Sequence, residues 1–137
     1  MAIEFEGLEE VLDSIETLAD VQNIDMALGK ACAIVEASAK KKAPKDSGDL
    51  RRSITSKVEN NEGVIFTPLF YAPYVEYGTG LFAESGGRTD VPWNYQDDKG
   101  NWHSTSGMKP QPFMRPALYE NKEEILRTLK EGLTNND

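Results

Sequence analysis

The segment Tyr71-Ala-Pro-Tyr-Val-Glu-Tyr-Gly-Thr-Gly80 is followed, further along the chain, by a second dense block, Lys109-Pro-Gln-Pro-Phe-Met-Arg-Pro-Ala-Leu118. Both blocks concentrate aromatic residues, prolines or glycines, which restrict the backbone or provide large contact surfaces. Almost nothing in either block can transfer a proton or hold a metal ion. The two blocks therefore predict rigid elements that bind other proteins.

Within the first block, the carboxylate of Glu76 lies between two tyrosines and is followed by Gly78 and Gly80, which can adopt backbone angles closed to other residues. Arg115 in the second block is the candidate partner of this carboxylate. A buried or half-buried Glu76–Arg115 pair would clamp the aromatic turn to the start of the last helix, and loss of one partner would be costly. The alternative is an ordinary edge strand or short helix that packs its aromatic residues into the core.

Apolar residues at helical spacing predict three helices. The first covers residues 7–20, and the second is capped by Asn23 and ends before Pro44. The third begins at Pro116, a residue suited to the first turn of a helix, and runs to the C-terminal region.

Between the second and third helices the pattern changes to that of strands. After a turn at residues 45–49, residues 50–59 and 63–67 predict a β-hairpin joined by Asn60-Asn61-Glu62-Gly63. The fold class is therefore α+β, with a small antiparallel sheet packed by two N-terminal helices and one C-terminal helix.

Residues 81–107 predict a projecting arm that contains both tryptophans, Trp93 and Trp102. Short strands at roughly 91–96 and 101–104 around the turn Asp97-Asp98-Lys99-Gly100 would make the arm a hairpin, whereas its many polar residues also fit a mobile loop. We treat it as a flexible arm that orders against a neighbouring protein through its aromatic residues.

Composition limits the function further. A chain of 137 residues fits one domain, 1–137, and a net charge of −8 opposes a surface that coats DNA. The single cysteine, Cys32, offers no intrachain disulfide, which favours synthesis in a cytosol. Acidic residues near the N-terminus do not fit a signal peptide, and no run approaches the ~18 apolar residues of a membrane span.

The residues needed for catalysis are not combined in any familiar motif. His103 is the only histidine and is far in sequence from Cys32, and no nucleotide-binding loop, nucleophile elbow or metal-binding spacing occurs. The acidic pair Asp97-Asp98 lacks the alternating ligands of a calcium loop and is better explained as a solvated turn. We expect no enzyme activity, no cofactor and no metal.

Six of the fifteen basic residues fall within thirteen positions, whereas residues 1–39 hold nine acidic residues against the single base Lys30. This asymmetry favours contact between the basic end of one subunit and the acidic helix of its neighbour. Two alternatives are binding to the DNA backbone and complementation of the dipole of the second helix. The basic cluster comprises Lys40, Lys41, Lys42, Lys45, Arg51 and Arg52.

Three blocks in this order are more specific than any one of them: Ala43-Pro-Lys-Asp-Ser-Gly-Asp-Leu-Arg-Arg-Ser-Ile54, Tyr74-Val-Glu-Tyr-Gly-Thr79 and Gln111-Pro-Phe-Met-Arg-Pro-Ala-Leu118. Together they resemble the head-to-tail joining, or tail-completion, proteins of long-tailed double-stranded-DNA bacteriophages and prophages, including minor tail protein Z-like members. The resemblance extends over about residues 5–133. Met114 replaces the leucine that is more usual in this family.

The resemblance implies a structural virion protein, made in the host bacterial cytoplasm, that forms a hexameric ring at the junction of tail and head. Its implied partners are further copies of itself, the head-completion or connector protein and the tail tube protein, with DNA passing through as cargo. The alternative is a nucleic-acid-binding phage accessory protein that uses the Lys40–Arg52 cluster. The predicted subunit or partner interface comprises Arg51, Arg52, Tyr74, Glu76, Tyr77, Trp93, Trp102, Phe113 and Arg115.

Overall fold

The computed structural model describes residues 1–4, 21–45 and 48–134 of the chain. It is an α+β structure and divides into two compact units, Met1–Leu69 with Phe113–Asp137, and Phe70–Pro112, so the second unit includes the predicted arm. The elements are β1 (Ala2–Glu4), α1 (Val21–Lys42), α2 (Asp49–Ser53), β2 (Thr55–Glu59), β3 (Glu62–Phe66), α3 (Ala72–Tyr77), a 3₁₀ helix (Gly80–Phe82), β4 (Trp93–Gln96), β5 (Trp102–Thr105), α4 (Met114–Tyr119) and α5 (Lys122–Thr134).

The first unit contains a three-stranded antiparallel sheet in the order β1-β3-β2. Strands β2 and β3 form the predicted hairpin, in which Glu59 pairs with Glu62. Asn60 and Asn61 both have positive φ angles, 51° and 63°, as a two-residue turn that matches strand twist requires. The predicted hairpin is thus confirmed, but its turn is shorter than predicted, because Glu62 and Gly63 belong to β3.

The first half of the predicted strand 50–59 is wrong, because residues 49–53 form the short helix α2. Leu50 and Ile54 are both buried, and four residues is the spacing of one helical turn. An extended strand would have placed the charged side chain of Arg52 on the same face as these two residues. The hydroxyl of Ser53 donates to the carbonyl of Leu50 at 2.6 Å and closes the turn.

Helix α1 provides the centre of the first unit and packs against the sheet, α4 and α5. It begins at Val21, two residues before the predicted cap, and ends at Lys42, before Pro44 as predicted. At the crossing with α5, a Cβ on Gly132 would lie 2.8 Å from the Cβ of Ala27, so the two helices approach closely. Its fully buried stripe is Ala27, Leu28, Ala31, Cys32, Val35 and Ala39. The predicted helix at 7–20 lies outside the described residues.

The single C-terminal helix of the prediction is two helices, α4 and α5, separated at Glu120 and Asn121. The side-chain amide of Asn121 donates to the carbonyl of Ala117 at 2.7 Å, which is the acceptor that its own backbone N–H would use in a continuous helix. The carbonyl of Asn121 then accepts from Ile125 at 2.8 Å and starts α5. One asparagine thus ends one helix and begins the next.

We expect the thiol of Cys32 to be unreactive in the folded protein. Burial, with a smaller contribution from the nearby Glu36 carboxylate, raises the pKa of the Cys32 thiol to about 11. At pH 8 a disulfide reagent should therefore label the native chain about 100-fold or more slowly than the chain in denaturant, where the thiol is exposed and has its ordinary pKa. Comparable labelling rates in the two conditions would contradict the buried position of Cys32.

Candidate functional site

The second unit begins with an exposed aromatic segment, which we define as residues 70–82. Ten large apolar side chains are exposed in the part of the chain that the structure describes, and half of them fall in this segment. Phe70 is 82% exposed and Tyr74 is 55% exposed. Exposed apolar side chains concentrated in this way mark sites of protein–protein contact. The five are Phe70, Tyr74, Tyr77, Leu81 and Phe82.

Local sequence chemistry fixes the shape of this segment. Pro73 lies in the first turn of α3, where its missing N–H costs nothing, and Gly78, at a φ of 82°, ends the helix. Tyr74 and Tyr77 are three residues apart and therefore lie on the same side of the helix. Of the two local alternatives, the short helix is the one that forms, but its tyrosines are exposed instead of packed in the core.

The buried positions of α3 are Ala72, Val75 and Glu76. Glu76 is fully buried, a placement that sequence reasoning anticipated for this carboxylate. Arg115, its predicted partner, is half-buried in the first unit. The ion pair between them stays a prediction.

The aromatic segment and the arm meet at a set of hydrogen bonds that we call the arm clamp, formed by residues 79–81 and 106–108. The backbone N–H of Thr79 donates to the carbonyl of Met108 at 2.9 Å, and the N–H of Met108 donates to the hydroxyl of Thr79 at 2.9 Å. The N–H of Leu81 donates to the carbonyl of Ser106 at 3.0 Å. The two ends of the arm are thus held side by side.

Two glycines make this close approach possible. A Cβ on Gly80 would lie 2.3 Å from the carbonyl oxygen of Ser106, and a Cβ on Gly107 would lie 2.2 Å from the carbonyl oxygen of Thr79. Both have positive φ angles, 61° and 124°. The Gly-Thr-Gly sequence after Tyr77 is therefore required by the arm clamp.

The arm is a β-hairpin in which Trp93 pairs with Thr105 and Gln96 pairs with Trp102. The predicted strands at 91–96 and 101–104 are confirmed to within two residues. Of the two alternatives, hairpin and irregular loop, the structure shows the hairpin. Tyr95 is exposed on β4 and stacks on His103 of β5 at a ring-centroid distance of 5.2 Å.

Asp97 organises the turn of the arm. Its carboxylate accepts from the backbone N–H groups of Lys99 and Asn101, at 2.9 and 2.8 Å, and lies 2.7 Å from Nε2 of His103. The hydrogen bond with His103, followed by those from the backbone, holds the pKa of the Asp97 carboxyl below its usual value. Asp97 thus stabilises the turn, as the solvated-turn interpretation expected.

The predicted interface residues divide into three groups by exposure. Tyr74, Tyr77 and Trp102 are exposed, the last at 70%. Trp93 is half-buried, with the Arg88 guanidinium 4.9 Å from its ring centroid. Phe113, like Glu76, is fully buried, so its side chain can support an interface only from beneath the surface.

Two of the three predicted interface arginines, Arg51 and Arg52, have neighbours within their own unit. Nη2 of Arg51 donates to the carbonyls of Lys41 and Ala43, at 3.4 and 3.1 Å, and so satisfies acceptors at the C-terminal end of α1. Arg52 is exposed and forms an ion pair with Asp49. Arg51 thus has a structural function that the sequence did not indicate.

Four of the six residues of the basic cluster line a groove with a volume of about 600 Å³, which we call the basic groove. Three lysines occupy the last turn of α1, where cations are favoured by the helix dipole. Lys42 pairs with Glu120 at 2.7 Å and Lys40 lies 3.8 Å from Glu36. The groove is lined by Ile34, Ala37, Ser38, Lys40, Lys41, Lys42, Arg51, Asn121 and Glu124.

The sequence analysis did not identify every residue of the aromatic segment or of the basic groove. Phe70, Leu81 and Phe82 were not predicted as interface residues, although they flank the tyrosines that were. The signal that could have identified them is the density of large apolar residues from Leu69 to Phe82. Asn121, just before α5, and Glu124, in the first turn of α5, complete the basic groove, and no local sequence pattern marks either residue.

The described residues contain no group of three or more histidine, cysteine, aspartate or glutamate side chains placed to hold a metal ion. In the same part of the chain, no helix combines the length and the apolar character that crossing a membrane demands.

Comparison with known protein families shows a family to which this chain is similar. The family described as "Bacteriophage HK97-gp10, putative tail-component" matches residues 6–78, just over half of the chain. The matched range contains the basic cluster and the first part of the aromatic segment, whereas the arm follows it. Comparisons with curated proteins and with solved structures found no match.

Proposed function

The chain belongs to the HK97-gp10-like family of bacteriophage tail components, and from this premise we propose that it completes the phage tail and joins it to the head connector. In this proposal identical copies form a ring of six around the DNA channel. A tail component works by contact with other phage structural proteins, and here these are the connector protein and the tail tube protein. The function is structural and not catalytic.

The observation that carries this proposal is the exposure of five large apolar side chains within the aromatic segment. Complete burial of one such side chain contributes about 1.5–3 kcal/mol, so burial of the exposed parts of five contributes on the order of 5–10 kcal/mol. Association itself costs an estimated 4–15 kcal/mol. A single contact of this kind therefore gives only weak association. In a closed ring every subunit has two neighbours, so each subunit is held by two such contacts and the assembly is stable.

Ring closure requires each subunit to present two different and complementary surfaces. The aromatic segment offers one apolar surface, and the arm offers a second that projects further aromatic side chains. Trp102 and Tyr95 are exposed on the arm, and exposed aromatic residues are frequent anchors of protein interfaces. In the proposed assembly the arm, mobile in an isolated subunit, orders against a neighbour or the tail tube.

The charge of the chain suits a channel through which DNA passes. A net charge of −8 repels the phosphate backbone over most surfaces, so DNA is not held as it moves through the ring. DNA is therefore cargo, and the specific contacts are with protein.

Electron microscopy of a phage in which this gene is inactivated tests the proposal. We expect filled capsids and separate tails that fail to join, because the surface that connects them is missing. Supplying the wild-type protein from a plasmid should restore virions with a six-fold ring at the top of the tail. Normal virions from the inactivated phage would refute the joining function, and a ring of another symmetry would refute the subunit number.

A further inference from the structure

We infer that the basic groove binds the acidic segment, residues 5–20, of a second copy of this chain. This inference rests on the proposed ring and names one of the contacts that would hold adjacent subunits together. The groove is formed by described residues of the first unit, whereas the acidic segment is identified from the sequence.

The groove carries an excess of positive charge. Four basic side chains line it, at Lys40, Lys41, Lys42 and Arg51, together with the carboxylate of Glu124. Two of these lysines are already paired, Lys40 with Glu36 and Lys42 with Glu120. Lys41 is exposed and forms no ion pair with any residue that the structure describes. A negatively charged partner would therefore find at least one cation whose charge is not already compensated.

The acidic segment has the complementary charge. Residues 5–20 contain six acidic residues and no basic residue. Four of them, Glu9, Asp13, Glu16 and Asp20, follow one another at spacings of four, three and four, the spacing of neighbours along one face of a helix. A helix with this spacing would present a row of carboxylates to the groove.

The length of α1 separates the end of the acidic segment from the groove of its own chain. Lys41 is twenty residues after Val21, which corresponds to about 30 Å along a helix. Asp20 directly precedes Val21, so its Cα lies only about 4 Å from that of Val21. The carboxylate of Asp20 therefore cannot contact Lys41 of the same copy, and it can reach the groove only of another copy.

A charge exchange tests this inference. The groove variant carries Lys40→Glu with Lys41→Glu, and the segment variant carries Glu16→Lys with Asp20→Lys. Each variant is added to purified tails that lack this protein, and joining to capsids and subunit association are measured. We expect each variant alone to associate at least about tenfold more weakly than the wild type, because like charges then face each other.

An equimolar mixture of the two variants should recover association to within about threefold of the wild type, because every groove then meets a segment of opposite charge. Recovery would also show that both variants fold. The matched control, Lys30→Glu with Arg127→Glu, makes the same change in net charge at two exposed positions outside the groove, the aromatic segment and the arm, and it should behave as the wild type.

The outcomes separate this inference from the proposed function. Suppose that the wild-type protein associates and joins tails to capsids. If either variant then equals the wild type, or if the mixture of variants shows no recovery, the inference is overturned and the proposed function stays intact. Wild-type protein that neither associates nor joins tails to capsids would overturn both. Binding of a DNA duplex that is lost in the groove variant, without recovery in the mixture, would assign the groove to nucleic acid instead.

Discussion

Replacing Gly80 with alanine will open the arm clamp and destabilise the second unit by about 2–4 kcal/mol. The added Cβ would lie 2.3 Å from the carbonyl oxygen of Ser106 and 2.9 Å from the Trp93 ring, and neither the backbone nor the ring can yield without moving the arm. The substitution would also force alanine into a positive φ of 61°. Urea unfolding and hydrogen exchange at the amides of Thr79, Leu81 and Met108 measure the effect.

Gly86→Ala is the matched control. Gly86 also has a positive φ, 79°, but a Cβ at this position would meet nothing within 4 Å. The Gly86→Ala substitution should therefore lower the free energy of unfolding by the cost of backbone strain alone, about 1–2 kcal/mol. The excess cost of Gly80→Ala over Gly86→Ala measures the contact across the arm clamp. Equal costs for the two substitutions, with unchanged exchange at Leu81, would show that the clamp is not tightly packed.

The sequence predicted well those helices and strands whose pattern lies within the element itself or in the residues next to it. The hairpin of β2 and β3 follows from alternation and from the turn at Asn60 and Asn61, and the end of α1 follows from Pro44. The short helix α2 was predicted as strand, because Leu50 and Ile54 fit either period over so few residues. The break between α4 and α5 depends on one side-chain hydrogen bond of Asn121, which no periodic pattern reveals.

The aromatic segment, the arm clamp and the basic groove could be predicted from the sequence only in part. The motif around Tyr74 and Tyr77 indicated contact with a partner, and the structure exposes both side chains. The need for glycine at position 80 could not be predicted from the adjacent residues. The carbonyl that leaves no room for a side chain there belongs to Ser106, at the other end of the arm. The basic groove likewise joins residues of α1 to Asn121 and Glu124, about eighty positions later in the chain. Such long-range packing is what a single sequence does not specify.

Replacing Phe70 and Tyr74 together with aspartate will abolish joining of tails to heads. Buried aromatic anchors of an interface contribute about 2 kcal/mol or more each, so loss of both weakens association by roughly 10³-fold. The aspartates would also bring uncompensated charge into a contact that excludes water. Plaque titre after complementation and sedimentation of the purified variant measure the effect.

The fold of the variant should be unaffected, because Phe70 and Tyr74 are 82% and 55% exposed. The free energy of unfolding should change by no more than about 0.5 kcal/mol, as for ordinary surface substitutions. Met26, 67% exposed on α1, offers a control outside the aromatic segment. Met26→Asp should join tails to heads as the wild type does. Joining that survives the double substitution, or that is lost equally with Met26→Asp, would remove the aromatic segment from the proposed interface and leave the arm as the remaining apolar surface of the second unit.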